Sequence, residues 1–273
     1  METSAWALRC SRAFWRRVSG PQEQRLLEGM SYGMVGSMAL AMLATRYLKI
    51  PYGRYASSAY GPPIPAKVAW ALQEAPALLV PMGLVWGSDG ARLGFWPNRF
   101  LLALFGIHYT YRAFIFPFLI RGGKPTPAIA FLLAFVFCAY NGYLQGRSLS
   151  NYAEYSSDWP TVLRFVLGFS GWLSGLLINV HSDNILRNLR KPGETGYKIP
   201  RGGMFEYVTG ANYFGEILEW CGFALAACTL ESAAFAVSTS LILGRRAQMH
   251  HHWYLNKFED YPRSRKILIP FIY

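Results

Sequence analysis

Ionisable and amide side chains stand where long apolar runs should exclude them, and their spacing groups them by helix face. Gln73 and Glu74 lie inside VAWALQEAPALLVPM. In IHYTYR, His108 and Tyr109 precede Arg112 by four and three residues, which puts all three on one side of a helix. Asn179 and Asp183 are again four apart, and Arg187 and Arg190 continue that stripe. NYFGEILEW supplies Asn212, Glu216 and Glu219 at spacings of four and three. A charge in mid-bilayer costs at least ~2.5–3.5 kcal/mol on insertion scales, so each such residue points to function. Any single amide could instead be helix-to-helix glue, worth under ~2 kcal/mol per contact. That role suits Glu74, Asp183 and Glu216 poorly, because ionisable groups make poor glue. Four helices with such faces imply a polar cavity within a bundle.

The basic residues suggest what the cavity holds. Arg112, Arg121, Lys124, Arg187, Arg190, Lys191, Lys198, Arg201 and Arg246 fall near the same ends of the apolar runs, beside Gly–Gly pairs at 122–123 and 202–203. Arginine forks match phosphate oxygens in pairs, so the set suits a phosphate-bearing ligand. Topology determinants facing anionic headgroups would explain any one of these cations. They would not explain the acids and amides threaded through the same stripe. Other chemistries find no support. No GxGxxG follows a strand and no GxxxxGK[ST] occurs. The five histidines include the run His250, His251 and His252, whose side chains point three ways on a helix, so no metal site is expected. Cys10, Cys138, Cys221 and Cys228 show neither metal nor redox spacing. A membrane enzyme and a transporter both remain consistent with the residues alone.

The elements that must position these groups are membrane spans. The chain of 273 residues is 52% hydrophobic and only 15% charged, against roughly 25% charged in soluble domains. Its apolar residues come in blocks of bilayer length, about 20 residues each. Seven are predicted: 26–48, 68–86 (broken by Pro76 and Pro81), 100–120, 127–146, 162–181, 208–230 and 232–247. The fold class is thus all-α, a polytopic bundle of seven transmembrane helices forming one domain over 26–273, with 1–25 as an N-terminal extension. The net charge of +12 resides at span ends and not in a nucleic-acid patch. Eighteen of the 27 Lys and Arg fall on the side holding 46–67, 112–124, 187–201 and the tail. The positive-inside rule therefore puts the C-terminus in the cytosol, although the N-terminus is itself basic. The start of the chain lacks the apolar core of a cleavable signal.

The stretches AWALQE (69–74), HYTYRAFIFPFLIRGGKP (108–125), NGYLQG (141–146), LINVHSDNILRNLRKPGETGYKIPRGGMFEYVTGANYFGEILEWCG (177–222) and 251–273 resemble the vertebrate steroid 5α-reductases, with RGGKP, GYKIPRGG and NYFGE most similar to the type 1 isozyme. The likeness runs from about residue 50 to the C-terminus. It implies an endoplasmic-reticulum enzyme that reduces the Δ4 double bond of 3-oxo steroids such as testosterone or progesterone with NADPH. It also implies a substrate that arrives from the bilayer and no obligate protein partner. The substrate end would be mainly 50–125 and the cofactor half mainly 177–273. Gln73, Glu74 and Tyr109 match the positions that meet the steroid 3-keto oxygen, with Glu74 and Tyr109 as the catalytic pair. Asn179, Asp183, Arg190, Tyr197, Asn212, Glu216, Arg246, His250 and Tyr254 match positions lining the cofactor, and Arg187 belongs to the same stripe. Arg112, Arg121 and Lys124 fall where the family has basic residues near the phosphates. YGR at 52–54 is a three-residue match to a loop contact. Glu74 can donate a hydrogen bond only when protonated, the form an apolar setting favours. Two alternatives stay open: a related ene-reductase acting on a polyprenol or an enoyl thioester, and a non-catalytic lipid-binding or transport protein of the same fold.

Overall fold

A computed structural model of the chain describes residues 2–45, 47, 53–191, 193–194 and 196–273. Nearly all of its regular structure is helical. The helices are α1 (Glu2–Val18), α2 (Pro21–Ala44), α3 (Ala66–Gly87), α4 (Trp96–Thr110), α5 (Phe116–Leu119), α6 (Ala128–Arg147), α7 (Trp159–Asn188), α8 (Ala211–Ala227) and α9 (Leu230–Lys257). A π-turn, Tyr111–Ile115, joins α4 to α5, and a second, Ser148–Tyr152, extends α6. Each of the seven apolar runs of the sequence contains a helix. Five of them are long and apolar enough to cross a bilayer: Pro21–Ala44, Ala66–Gly87, Trp96–Leu119, Ala128–Tyr152 and Trp159–Asn188. The chain is a multi-pass membrane protein on that ground. The remaining two fall outside that set: α8 has 17 residues, and α9 carries Glu231, Arg245 and Arg246. Large side chains such as Leu79, Leu133, Val166 and Leu177 are exposed on the outer faces, as lipid contact requires.

The N-terminal extension holds helix α1, residues 2–18, whose Ser11 hydroxyl donates to the Gly87 carbonyl at 2.9 Å. One local expectation changes: Pro76 and Pro81 do not break the second run, and α3 continues through both. A Cβ added at Gly142 would lie 3.0 Å from the Pro76 carbonyl oxygen, and one at Gly146 would lie 3.1 Å from Pro81 Cα. Glycines of α6 thus accept the irregular face of α3, the kind of neighbour that makes proline tolerable in a membrane helix.

The tightest seam joins α7 and α8. A Cβ at Gly175 would stand 2.2 Å from the Glu219 nitrogen, and one at Gly215 would stand 2.5 Å from the Asn179 nitrogen. Only backbones without side chains approach so closely, as in small-residue membrane interfaces. The central core is aromatic: Phe105, Tyr109, Trp220, Phe223 and Phe235 are all buried, with Trp220 and Phe235 rings 4.5 Å apart. A two-residue antiparallel pairing, Pro63↔Pro127 and Ile64↔Thr126, ties the entry of α3 to that of α6. At the far ends of those helices, Arg147 is fully buried and grips Glu23 with Nε at 2.7 Å and Nη2 at 2.5 Å. Tyr143 and Tyr152 also donate to the Glu23 carboxylate, and Arg147 reaches the Ser19 hydroxyl at 2.8 Å.

Candidate active site

A cavity of about 460 Å³ opens at the end of the bundle where α3, α6 and α8 begin and α7 ends. Its volume lies within the roughly 300–1,000 Å³ of small-molecule pockets. Polar walls come from four helices whose charged stripes face one another. Arg112, on the π-turn, is buried and donates from Nη1 to Asp183 Oδ2 of α7 at 2.9 Å, with Glu216 of α8 at 3.6 Å from Nη2. Asn212 Nδ2 donates to the other Asp183 oxygen at 3.4 Å. Asn179 Nδ2 donates to the Asn212 carbonyl at 2.9 Å and to Glu216 at 3.3 Å. This knot is possible because the glycine seam brings Asn179 against the first turn of α8. Glu74 lines the same cavity from α3, beside Trp70. The Arg112 guanidinium lies 4.8 Å from the Trp70 ring centroid and 4.6 Å from that of Phe116.

Cations line the rest of the cavity: Arg54, Arg121, Lys124, Arg187, Arg190 and Arg246. Arg121, Lys124 and Arg190 are exposed, so this end meets water. Two of the set are oriented by asparagines of α7, with Arg187 Nη2 on Asn184 Oδ1 at 2.6 Å and Arg121 Nη1 on Asn188 Oδ1 at 3.0 Å. Arg54 is held by aromatic faces. Its guanidinium lies 4.0 Å from the Trp253 centroid, 4.8 Å from Tyr254 and 5.2 Å from Tyr197. Its Nη1 is buried with no hydrogen-bond partner among the described residues. Beside it, Tyr55 donates to the Met249 carbonyl at 3.0 Å, and burial pushes its phenol up from the ordinary value.

Glu74, Arg112, Arg121, Lys124, Asp183, Arg187, Arg190, Tyr197, Asn212, Glu216, Arg246 and His250, all singled out in the sequence, line this one cavity. Gln73, Tyr109, Asn179 and Tyr254 stand behind its wall. Tyr109 is buried, accepts from Asn141 Nδ2 at 3.4 Å, and lies within electrostatic reach of Glu74 and Cys138. The Cys138 thiol donates to Glu74 at 3.6 Å. Tyr254 stacks on Tyr261 at 5.2 Å, and its hydroxyl accepts from Arg54 at 3.5 Å. The three consecutive histidines separate as a helix demands: His250 lines the cavity, His251 bonds Thr209 at 2.6 Å, and His252 is exposed.

Several placements depart from the sequence reading. Arg112 clasps acids inside the bundle instead of joining the outer cations. Lys191, Lys198 and Arg201 do not line the cavity. Lys198 pairs with Glu194 at 2.5 Å and holds that exposed carboxyl below its ordinary value, while Arg201 faces Glu206 at 3.8 Å. His108 does not share the Arg112 cluster but meets Glu219 at 2.7 Å in the dry core. Of the YGR triplet, Tyr52 lies outside the described residues, whereas Arg54 is central. Trp70 and Phe116 went unread because an aromatic in an apolar helix carries no local sign of facing a cavity instead of lipid. Among the described residues no group of His, Cys, Asp and Glu is arranged to hold a metal ion.

Comparison with known proteins places this arrangement. Residues 124–273 match the family model described as 3-oxo-5-alpha-steroid 4-dehydrogenase. The chain is 55% identical over 253 residues to 3-oxo-5-alpha-steroid 4-dehydrogenase 1 of Bos taurus, covering 92% of this chain and 98% of that protein. It is 52% identical over 256 residues to the protein of the same name from Homo sapiens, covering 94% and 99%. With 3-oxo-5-alpha-steroid 4-dehydrogenase 2 of Sus scrofa the identity is 48% over 246 residues, covering 88% and 96%. Most of each relative's length is thus shared, and the chain belongs to the 3-oxo-5-alpha-steroid 4-dehydrogenase family.

Proposed function

We propose that this chain reduces the Δ4 double bond of 3-oxo steroids, testosterone and progesterone among them, with NADPH as the reductant. It would do so in the endoplasmic-reticulum membrane, with α8 and α9 completing seven spans and the cavity mouth and C-terminus in the cytosol. The carrying observation is a single cavity with six cations, an acid–amide knot on Arg112, and Glu74. The names of the relatives agree with that reading. Residues 50–125 then form mainly the substrate end, with Arg54, Arg121 and Lys124 reaching the cofactor, and 177–273 mainly the cofactor half.

The residues present fit a phosphorylated dinucleotide. Arg54 Nη1 is buried without an acceptor among the described residues, and Arg121, Lys124, Arg187, Arg190 and Arg246 share its cavity. Guanidinium forks suit phosphate oxygens, and Tyr197 and His250 offer flat faces beside them. Asn179, Asp183, Asn212 and Glu216 would hold amide and hydroxyl groups of the same ligand. When bound, the reduced nicotinamide supplies the hydride. Reduction of the enone at C5 leaves negative charge on the 3-oxygen, and a donor aimed at that oxygen lowers the barrier. Glu74 in its protonated form and Tyr109 are those donors here. Tyr109 is suited to donate, because its oxygen already accepts from Asn141 and its own proton is uncommitted among the described contacts. C4 then takes a proton from solvent, and the apolar walls admit a steroid from the bilayer while keeping bulk water away.

Membranes carrying the chain, incubated with testosterone and NADPH, should yield the 5α-dihydro product. A protein that binds NADPH but forms no such product would sink the steroid assignment and favour another unsaturated lipid. Glu74→Leu, which removes the donor, should lower kcat by about 10²-fold, the usual loss for one oxyanion donor. Turnover that survives this change would remove Glu74 from the mechanism.

A further inference from the structure

Two buried amides on α6 connect Tyr109 to the start of α9. Asn141 and Gln145 are one helical turn apart, and both are 0% exposed. Gln145 Nε2 donates to the Glu231 carbonyl at 2.9 Å and to Asn141 Oδ1 at 3.2 Å. Asn141 Nδ2 in turn donates to the Tyr109 hydroxyl oxygen at 3.4 Å. The direction of this ladder is fixed at its far end. A backbone carbonyl can only accept, so the Gln145 amino group must face Glu231. Its second N–H then meets the Asn141 oxygen, which turns the Asn141 amino group toward Tyr109. The acceptor that could have captured the Tyr109 proton is thereby pointed away.

From this ladder we infer that Asn141, oriented by Gln145, is a positioning residue that makes Tyr109 a hydrogen-bond donor to the substrate oxygen. The inference rests on the reading of Tyr109 given above. A hydroxyl that accepts one hydrogen bond in a low-dielectric interior donates the next one better. The 3.4 Å contact is long for N–H···O, so its main contribution is direction and not strength. Packing alone does not call for amides here, since a buried amide is costly unless bonded and an apolar side chain of like size would fill the space.

The test is a mutant cycle on membranes carrying the full chain, with testosterone and NADPH. Asn141→Leu and Asn141→Asp, which replaces the amino group by oxygen, should each lower kcat about tenfold, with KM for both reactants changed less than about twofold. In a Tyr109→Phe background neither should lower kcat further, because Asn141 acts through a hydroxyl that is no longer there. Gln145→Met should lower kcat several-fold by the same route and likewise be silent with Tyr109→Phe. Wild-type kcat in the Asn141 variants, or losses that multiply with that of Tyr109→Phe, would overturn the inference. Should the Asn141 variants fail to accumulate, Gln145→Met decides it by the same two comparisons. Unchanged turnover in Tyr109→Phe alone would instead overturn the role of Tyr109, and the inference with it.

Discussion

At the residue scale, charge is handled by giving each cation a distinct surrounding. Arg112 sits between two carboxylates and two aromatic rings, and Arg54 lies over Trp253 with its Nη1 unpaired among the described residues. Arg54→Lys keeps the charge but loses the planar fork and the stack. It should raise KM for NADPH about tenfold, roughly 1.4 kcal/mol, and leave KM for the steroid unchanged in steady-state assays. An equal rise in both would mean that Arg54 shapes the whole cavity. Much of this site was readable from spacing: Asn179, Asp183, Asn212 and Glu216 do meet, because i,i+4 stripes on two helices can face each other. Spacing could not say which cation of a stripe turns inward. Arg112 turns inward because it lies on a wide turn against Asp183, and that partner is 71 residues away.

At the element scale, the distance between α7 and α8 decides whether the knot forms. Gly175→Ala would drive a methyl group to within 2.2 Å of backbone, and overpacking of this kind costs typically ~1–3 kcal/mol or more. The variant should melt at lower temperature in detergent and lose activity along with stability. Gly36→Ala on α2, where an added Cβ meets nothing within 4 Å, should melt no lower than the parent and serves as the control. A Gly175→Ala protein with parental melting and turnover would show that the helices can slide apart at no cost. The sequence carried this seam as Gly168, Gly171 and Gly175 on one helix and Gly215 and Gly222 on the next. Polarity-based reading passes over such residues, because glycine bears no charge and looks like any small apolar residue. Proline misled in the opposite direction, since its effect on α3 depends on what α6 presents to it.

At the scale of the whole molecule, two polar clusters sit at opposite ends of the bundle. The 20 residues of α6 separate them by about 30 Å, roughly one hydrocarbon thickness. Breaking a buried ion pair by removing one partner costs typically ~3–5 kcal/mol. Arg147→Met should therefore lower the melting temperature markedly, while the surviving folded enzyme keeps its KM for NADPH. A raised KM would reveal coupling between the two ends. The helical bundle was legible in block length. The clasp was not, because Arg147 reads locally as one more cation at a span end and its partner Glu23 lies 124 residues earlier. That interval also has a meaning in time. Ribosomes add ~5–20 residues per second, so Glu23 exists for roughly 6–25 s before Arg147 has been made. Through that interval α2 must be held with its carboxylate in water or among headgroups, and it can settle against α6 only after more than half the protein has been synthesised.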